Sequence, residues 1–152
     1  MQSPDALTEL FRVHGRKITA QRRCIFRALE GDVTHPSAET VHEKVRREMP
    51  NVSLKTVYQT LNDLAELGVI SVLDVGTGSA RFDPNVETPH HHLVCRSCGK
   101  IRDLTAEFPG LTVSRRAARG FAVDSAEVVF RGQCEECRDT EPRLTTTRPI
   151  SR

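Results

Sequence analysis

The sequence predicts an α+β chain, with a helical first half that ends in a β-hairpin and a small second half of strands held by a bound ion. Three observations predict it. Residues 4–67 carry four apolar stretches at helical spacing, punctuated by glycine and proline. Residues 69–82 change to β-branched and apolar residues around the turn Gly76-Thr77-Gly78. Four of the five cysteines form two Cys-x-x-Cys pairs, one near each end of the second half.

The elements follow in order. The first helix covers 4–13, with Leu7, Leu10 and Phe11 at helical spacing, and Gly15 ends it. Thr19 is a good N-cap for a second helix over 20–29, with Ile18 just ahead as a hydrophobic staple, and Gly31 closes it. After a turn at His35-Pro36, Ser37 caps a third helix over 38–49, with Val41 and Val45 on one face and Pro50 as its stop. Ser53 caps a fourth over 54–67, with Val57, Leu61 and Leu64 inward and Gly68 just past its end. Residues 69–75 and 80–82 make the hairpin, or wing, so residues 1–82 read as a winged helix-turn-helix domain. Residues 83–89 hold two prolines and no periodicity and read as a hinge. The second domain covers 90–137, with strands near 91–95, 100–104 and 122–130 and a short helix within 111–118. Residues 138–152 are polar and threonine-rich, which predicts a disordered tail.

A length of 152 residues suits one ordinary domain or two small ones. A hydrophobic fraction of 38% beside 28% charged residues reads as soluble and globular. No apolar run approaches the length of a membrane span, and the N-terminus lacks the charged-then-apolar order of a signal peptide, which places the chain in the cytoplasm. The net charge of +2 says little, but its distribution says more. Residues 10–29 hold Arg12, Arg16, Lys17, Arg22, Arg23 and Arg27 and no acid, a local patch suited to phosphate. Composition alone favours the plainer reading of that patch, a solvated helix face.

The cysteine pairs are Cys95/Cys98 and Cys134/Cys137, with 35 residues between them. Two residues between cysteines let both thiolates of a tight turn face one ion, and two such turns complete a tetrahedron. Four sulfur ligands suit zinc and leave no open position for catalysis, which marks the ion as structural. A redox dithiol is the alternative, and two matched knuckles argue against it. Cys24 sits in the apolar rhythm Cys24, Ile25, Ala28, Leu29 and reads as a buried core thiol.

His90, His91 and His92 directly precede the first knuckle. On an extended chain His90 and His92 share one face and His91 takes the other. Asp83 lies just before them, and Asp103 falls on the next strand, within reach across a hairpin pair. This nitrogen and oxygen set suits iron(II), manganese(II) or zinc. A solvated histidine run is the competing reading. Spacing does not tie His35 to the group, and His14 and His42 read as surface residues.

At this point the residues resemble a known family. Ile18-Thr19-Ala20-Gln21-Arg22, His35-Pro36-Ser37-Ala38-Glu39, Ser53-Leu54-Lys55-Thr56-Val57-Tyr58, Arg81-Phe82-Asp83, His90-His91-His92-Leu93-Val94-Cys95 and Cys98-Gly99-Lys100-Ile101-Arg102-Asp103 resemble the ferric uptake regulator (Fur) family in order and spacing, over nearly the whole chain to Cys137. The resemblance implies a metal-dependent transcription repressor, not an enzyme. It implies a homodimer with an N-terminal winged helix for double-stranded DNA and a C-terminal α/β dimerisation domain. It also implies that His35, Asp83, His90, His92 and Asp103 hold the regulatory metal, beside the structural zinc. Aspartate at both carboxylate positions is similar to the peroxide-sensing PerR branch, whereas iron sensors tend to have glutamate there. The stretch from Arg81 to Asp103 also resembles catalase-linked regulators of actinobacteria.

Three departures stand out. One extra residue lies between Asp83 and His90 relative to PerR; Asp124-Ser125-Ala126-Glu127 has no histidine where many relatives do; and Ala20 replaces a common proline at a helix start.

The resemblance predicts how the chain works. A metal joining the two halves would select the DNA-competent arrangement. Residues 54–67 would enter the major groove of a palindromic operator, with Lys55, Thr56, Tyr58 and Gln59 near bases and phosphates. Arg16 and Lys17 would meet backbone or minor groove. With iron(II) as the regulatory metal, peroxide would oxidise His35 or His90, linking the chain to oxidative stress. The alternatives are a sensor of iron, zinc, manganese or nickel without peroxide chemistry, and more remotely a metalloenzyme using the histidine–aspartate site.

Overall fold

The first-turn amides of a helix lack intrahelical partners, so helices begin where a side-chain oxygen supplies one. The computed structural model describes residues 2–76 and 78–140. Ser3, Thr19, Ser37 and Ser53 accept from the amides of Ala6, Arg22, Thr40 and Thr56. They start α1 (Pro4–Val13), α2 (Ala20–Leu29), α3 (Ala38–Arg46) and α4 (Leu54–Glu66). Helix α3 stops short of residue 49. Past Arg46 the amides of Arg47 and Glu48 reach carbonyls three residues back, Lys44 and Val45, and Met49 closes the turn on Val45, ahead of Pro50, whose ring disfavours helical backbone at the residue before it.

Past α4 the chain turns at Gly68, held at a φ of 70°. The Gly68 amide reaches the Ala65 carbonyl and the Val69 amide reaches that of Leu64, a Schellman closure. Val69 therefore belongs to the helix end, and Val69 and Ile70 bury among the helices. This is why β1 (Ser71–Leu73) is shorter than the expected strand over 69–75. It pairs antiparallel with β2 (Arg81–Asp83), Ser71 opposite Asp83. Asp83, expected in the hinge, is thus the last residue of the wing.

The main core lies among α1–α4 and β2. Leu7, Phe11, Ile25, Phe26, Leu29, Val57, Leu61 and Leu64 are fully enclosed, with Phe11 and Phe26 edge to face at 4.9 Å. Phe26→Ala is expected to lower stability by about 3–5 kcal/mol through the cavity it leaves, read as a reduced denaturant midpoint of the zinc-loaded chain.

The second half is a three-stranded sheet in the order β4 (Ile101–Leu104), β3 (His91–Cys95), β5 (Val129–Gly132). Strands β3 and β4 are antiparallel, and β3 and β5 parallel. The expected strand over 122–130 is displaced toward the C-terminus, because pairing to β3 begins only at His92 opposite Val129. Phe121 and Val123, ahead of it, stay exposed. A four-residue helix, α5 (Arg115–Ala118), is capped by Ser114, and α6 (Glu135–Thr140) follows the sheet. Residues 138–140, expected in the tail, form the end of α6; the rest of that expected tail, 141–152, lies outside the described residues.

The halves meet where the wing lies against the sheet: Leu73 and Val75 pack with Val94 and Ile101, and the Arg81 guanidinium donates to the Gly99 carbonyl at 2.8 Å. Within the helical half, the Phe82 amide donates to the Pro36 carbonyl at 3.0 Å, which sets Asp83 beside His35. No helix among the described residues is long and apolar enough to cross a membrane.

Candidate metal centres

The four knuckle cysteines come together. Cys95 ends β3, Cys98 lies in the turn closed by the Gly99 amide on the Cys95 carbonyl, Cys134 precedes α6 and Cys137 lies in it. Gly99 sits at a φ of 71°, which this tight turn favours for glycine. The four sulfurs lie within 4.8 Å of one another, and Cys98 and Cys134 Sγ are 3.6 Å apart. Tetrahedral zinc with sulfur at ~2.3 Å requires sulfurs roughly 3.8 Å apart. No disulfide joins any of the five cysteines.

The electrostatics favour a cation. The Cys134 amide donates to Cys95 Sγ at 3.3 Å and, with the Cys98 and Ser97 amides, holds the Cys95 thiol down to about 6. The neighbouring sulfurs of Cys134 and Cys98 push Cys137 up to about 12. Four thiolates do not coexist at this spacing without a positive ion among them.

The second centre lies where the halves meet. His35, His90, His92 and Asp103 each bring one ligand atom within 4.8 Å of the others. The Asp83 carboxylate is 3.0 Å from His90 Nε2, 3.6 Å from His35 Nε2 and 3.7 Å from His92 Nε2. Four of the five expected residues thus share one cluster, and the fifth, Asp83, lies against its three histidines. The sequence tied His90, His92, Asp83 and Asp103 by spacing, and the fold adds His35. Its loop is anchored by Asp32, which accepts from Lys44 and from the amide and hydroxyl of Thr34.

The donor atoms fit a metal ion. His35 is 1% exposed, yet neither of its ring nitrogens has a hydrogen-bond partner. Asp103 Oδ1 is likewise buried and unpartnered. His35 Nε2 and Asp103 Oδ1 lie 2.8 Å apart but are not aligned for a hydrogen bond; both face a common point. Buried polar atoms left unsatisfied cost roughly 1–3 kcal/mol each unless something else meets them. His35 also holds a φ of 53°, uncommon for a residue with a Cβ, and such strain persists where the surroundings enforce it.

Burial depresses the His35 pKa, against the pull of Asp83 and Asp103, which keeps the ring neutral as ligation requires. Burial would lower His90 too, but the Thr88 carbonyl with Asp83 and Asp103 raises it overall. His90 Nδ1 donates to that carbonyl at 2.9 Å, so in the neutral ring the lone pair is on Nε2. His90 Nε2 and His92 Nε2 stand 3.1 Å apart.

Two groups around this centre were not foreseen. Asn85 donates its amide to Asp83 Oδ1 at 2.8 Å and its side chain to Asp103 Oδ2 at 3.3 Å, orienting both carboxylates. The only signal for it was the Asp-Pro-Asn turn. Glu127 meets His92 Nδ1 at 2.8 Å, and nothing in its spacing announced it.

The residues expected at DNA fall into two groups. Lys17, Lys55 and Gln59 are exposed, and Thr56 and Tyr58 half-buried, Tyr58 donating to Glu39 Oε1 at 2.7 Å. Arg16 is engaged within the fold by Asp63 and Glu66 on the C-terminal half of α4, and Arg22 shares Asp63. Cys24 is buried as expected, its thiol donating to Glu48 at 3.4 Å. His42 is half-buried rather than a plain surface residue, its Nε2 3.0 Å from the Val52 carbonyl.

The chain thus combines a helical unit ending in a β-hairpin with a four-cysteine zinc-type site and a histidine–aspartate site between the halves. Residues 13–131 match the Ferric uptake regulator family. The chain is 35% identical over 128 residues to the peroxide-responsive repressor PerR of Staphylococcus aureus, covering 82% of this chain and 84% of that one. It is similar to the structure of PerR from Streptococcus pyogenes, with 27% identity, a TM-score of 0.51 and coverage of 90% and 94%. It is also similar to a zinc-bound manganese uptake regulator, with 28% identity, a TM-score of 0.66 and coverage of 84% and 98%. The chain belongs to the ferric uptake regulator family; it is a PerR-like, metal-dependent transcriptional regulator and not an enzyme.

Proposed function

We propose that the chain is a cytoplasmic homodimeric repressor that grips a palindromic operator when its histidine–aspartate site is filled and lets go when peroxide oxidises a ligand histidine. One observation carries this reading: the unpartnered, buried donors of His35, from the helical half, face those of His90, His92 and Asp103, from the sheet. Bound iron(II) or manganese(II) would supply a Lewis-acid centre for these five side chains and, for iron, one-electron chemistry with peroxide. His35 precedes α3, and α3 packs on α4, so fixing His35 against the sheet fixes the direction of the reading helix. Lys55, Thr56, Tyr58 and Gln59 at the start of α4 then face the major groove, and Lys17 the phosphates. Arg16 serves mainly to hold α4, since two carboxylates already take up its charge. Addition of one oxygen to His35 or His90 removes a nitrogen donor and unties the halves.

Peroxide response is favoured over simple metal sensing by aspartate at both carboxylate positions and by the similarity to PerR. Operator affinity, measured with iron(II) and with manganese(II) before and after peroxide, tests it. We expect the iron form alone to release DNA and to gain one oxygen on a histidine by mass spectrometry. Release without that gain, or equal resistance of both forms, rejects the peroxide reading and leaves metal sensing.

A further inference from the structure

The strand that closes the sheet reaches the second centre through a side chain outside the five-residue set. The chain just ahead of β5 is strapped to β3 by main-chain and ring contacts. The His92 amide donates to the Val128 carbonyl at 3.0 Å, and the Val128 amide donates to His91 Nδ1 at 3.2 Å. These contacts hold residue 127 against the His92 ring, and the Glu127 carboxylate oxygen lies 2.8 Å from His92 Nδ1. The other nitrogen of that ring, Nε2, faces His90 and Asp83.

We infer that Glu127 is a positioning residue for the regulatory metal: it fixes His92 with its proton on Nδ1 and turns the Nε2 lone pair toward His35, His90 and Asp103. The inference rests on the metal-site reading given above. A carboxylate acts only as an acceptor at neutral pH, so the contact requires N–H on Nδ1. In the neutral ring Nε2 is then the only lone-pair nitrogen, and it is the one aimed at the other donors. The carboxylate also offsets charge drawn from the ring by a cation, which strengthens the ligand. Glu127 is 46% exposed at its side chain, so its replacement leaves no core cavity. Its position ahead of β5 gives that strand a say in how tightly the site binds.

The full zinc-loaded chain is titrated with manganese(II) against a competing chelator, as wild type, Glu127→Ala and Glu127→Gln. Outer-sphere carboxylates of this kind contribute about 10–100-fold in metal affinity. Glu127→Ala is expected to bind manganese that much more weakly. Glu127→Gln, which keeps an acceptor oxygen but not the charge, is expected to recover part of the loss. Cobalt(II) absorption at this site should change shape in the alanine variant, while zinc content and the melting temperature without regulatory metal stay at wild-type values. Equal manganese affinity in wild type and Glu127→Ala overturns the inference alone. So does a weakening matched by an equal loss of stability without the metal, which would make Glu127 merely structural. Failure of wild type itself to bind manganese or cobalt overturns the metal-site reading and this inference together.

Discussion

Cys98→Ser is expected to empty the four-cysteine site and to unfold the sheet half while leaving the helical half folded. The two halves draw stability from different sources. The helical core encloses whole side chains such as Phe11, Phe26, Leu61 and Leu64, whereas the sheet cluster holds only Leu73, Val75, Val94 and Ile101 with Val129 against it. At ~25 cal/mol per Å² of apolar surface, four modest side chains do not offset the ordering entropy of residues 90–137. Binding of a structural zinc adds roughly 10–16 kcal/mol in small domains, a contribution that so small an apolar cluster leaves the segment dependent on. Cys98 is exposed, so serine there leaves no packing defect and the loss is attributable to the ligand. The readouts are zinc per chain and amide hydrogen exchange. Exchange protection should vanish across β3, β4 and β5 and persist in α2 and α4. A variant that keeps one zinc per chain and a protected sheet would show that three sulfurs suffice and that the knuckle is not the source of the order.

How much of this was legible in the sequence follows from which features are local. Helix starts depend on a hydroxyl and an amide three residues apart, and Thr19, Ser37 and Ser53 cap where expected. The cysteine pairs were equally plain, since each knuckle is a four-residue turn. Strand limits were less so, because they depend on the partner: Val69 has β character but closes the end of α4, and Val123 has it but no neighbour to pair with among the described residues. At the second centre, the alternation of His90 and His92 is local and was readable. His35 lies far away in the chain and entered only through family resemblance; the 3.0 Å contact from Phe82 to Pro36 is what brings it in. Asn85 and Glu127 touch Asp83, Asp103 and His92 from outside the donor cluster, so no spacing pattern marked them. Arg16 was expected at DNA with Lys17, and charge counted along the chain does not reveal that Asp63 and Glu66 stand opposite it.

His35→Asn is expected to separate metal binding from DNA binding. Asparagine tolerates the positive φ of 53° at this position better than most residues, so the replacement does not add backbone strain, and it removes the imidazole that comes from the helical half. His90, His92 and Asp103 all lie in the sheet half and keep their geometry without it, His90 held by Thr88 and His92 by Glu127. The variant should therefore still take up manganese(II), more weakly than wild type. What it loses is the tie from the sheet to the loop that leads into α3. A metal changes DNA affinity only by as much as it prefers the DNA-competent arrangement over the others, and with Asp83, at the end of the wing, as the one remaining ligand outside the sheet half, that preference shrinks. Operator affinity of the manganese-saturated variant should fall most of the way to that of stripped wild type, out of a full difference of roughly 5–150-fold for a coupling of about 1–3 kcal/mol. The decisive comparison is made at saturating metal, with occupancy measured directly, so that weak binding is not mistaken for lost coupling. If the saturated His35→Asn chain holds the operator as tightly as saturated wild type, the metal acts within the sheet half alone, and the orientation of α4 is set by some other contact between the halves, of which the packing of Leu73 and Val75 on Val94 and Ile101 is the first to test.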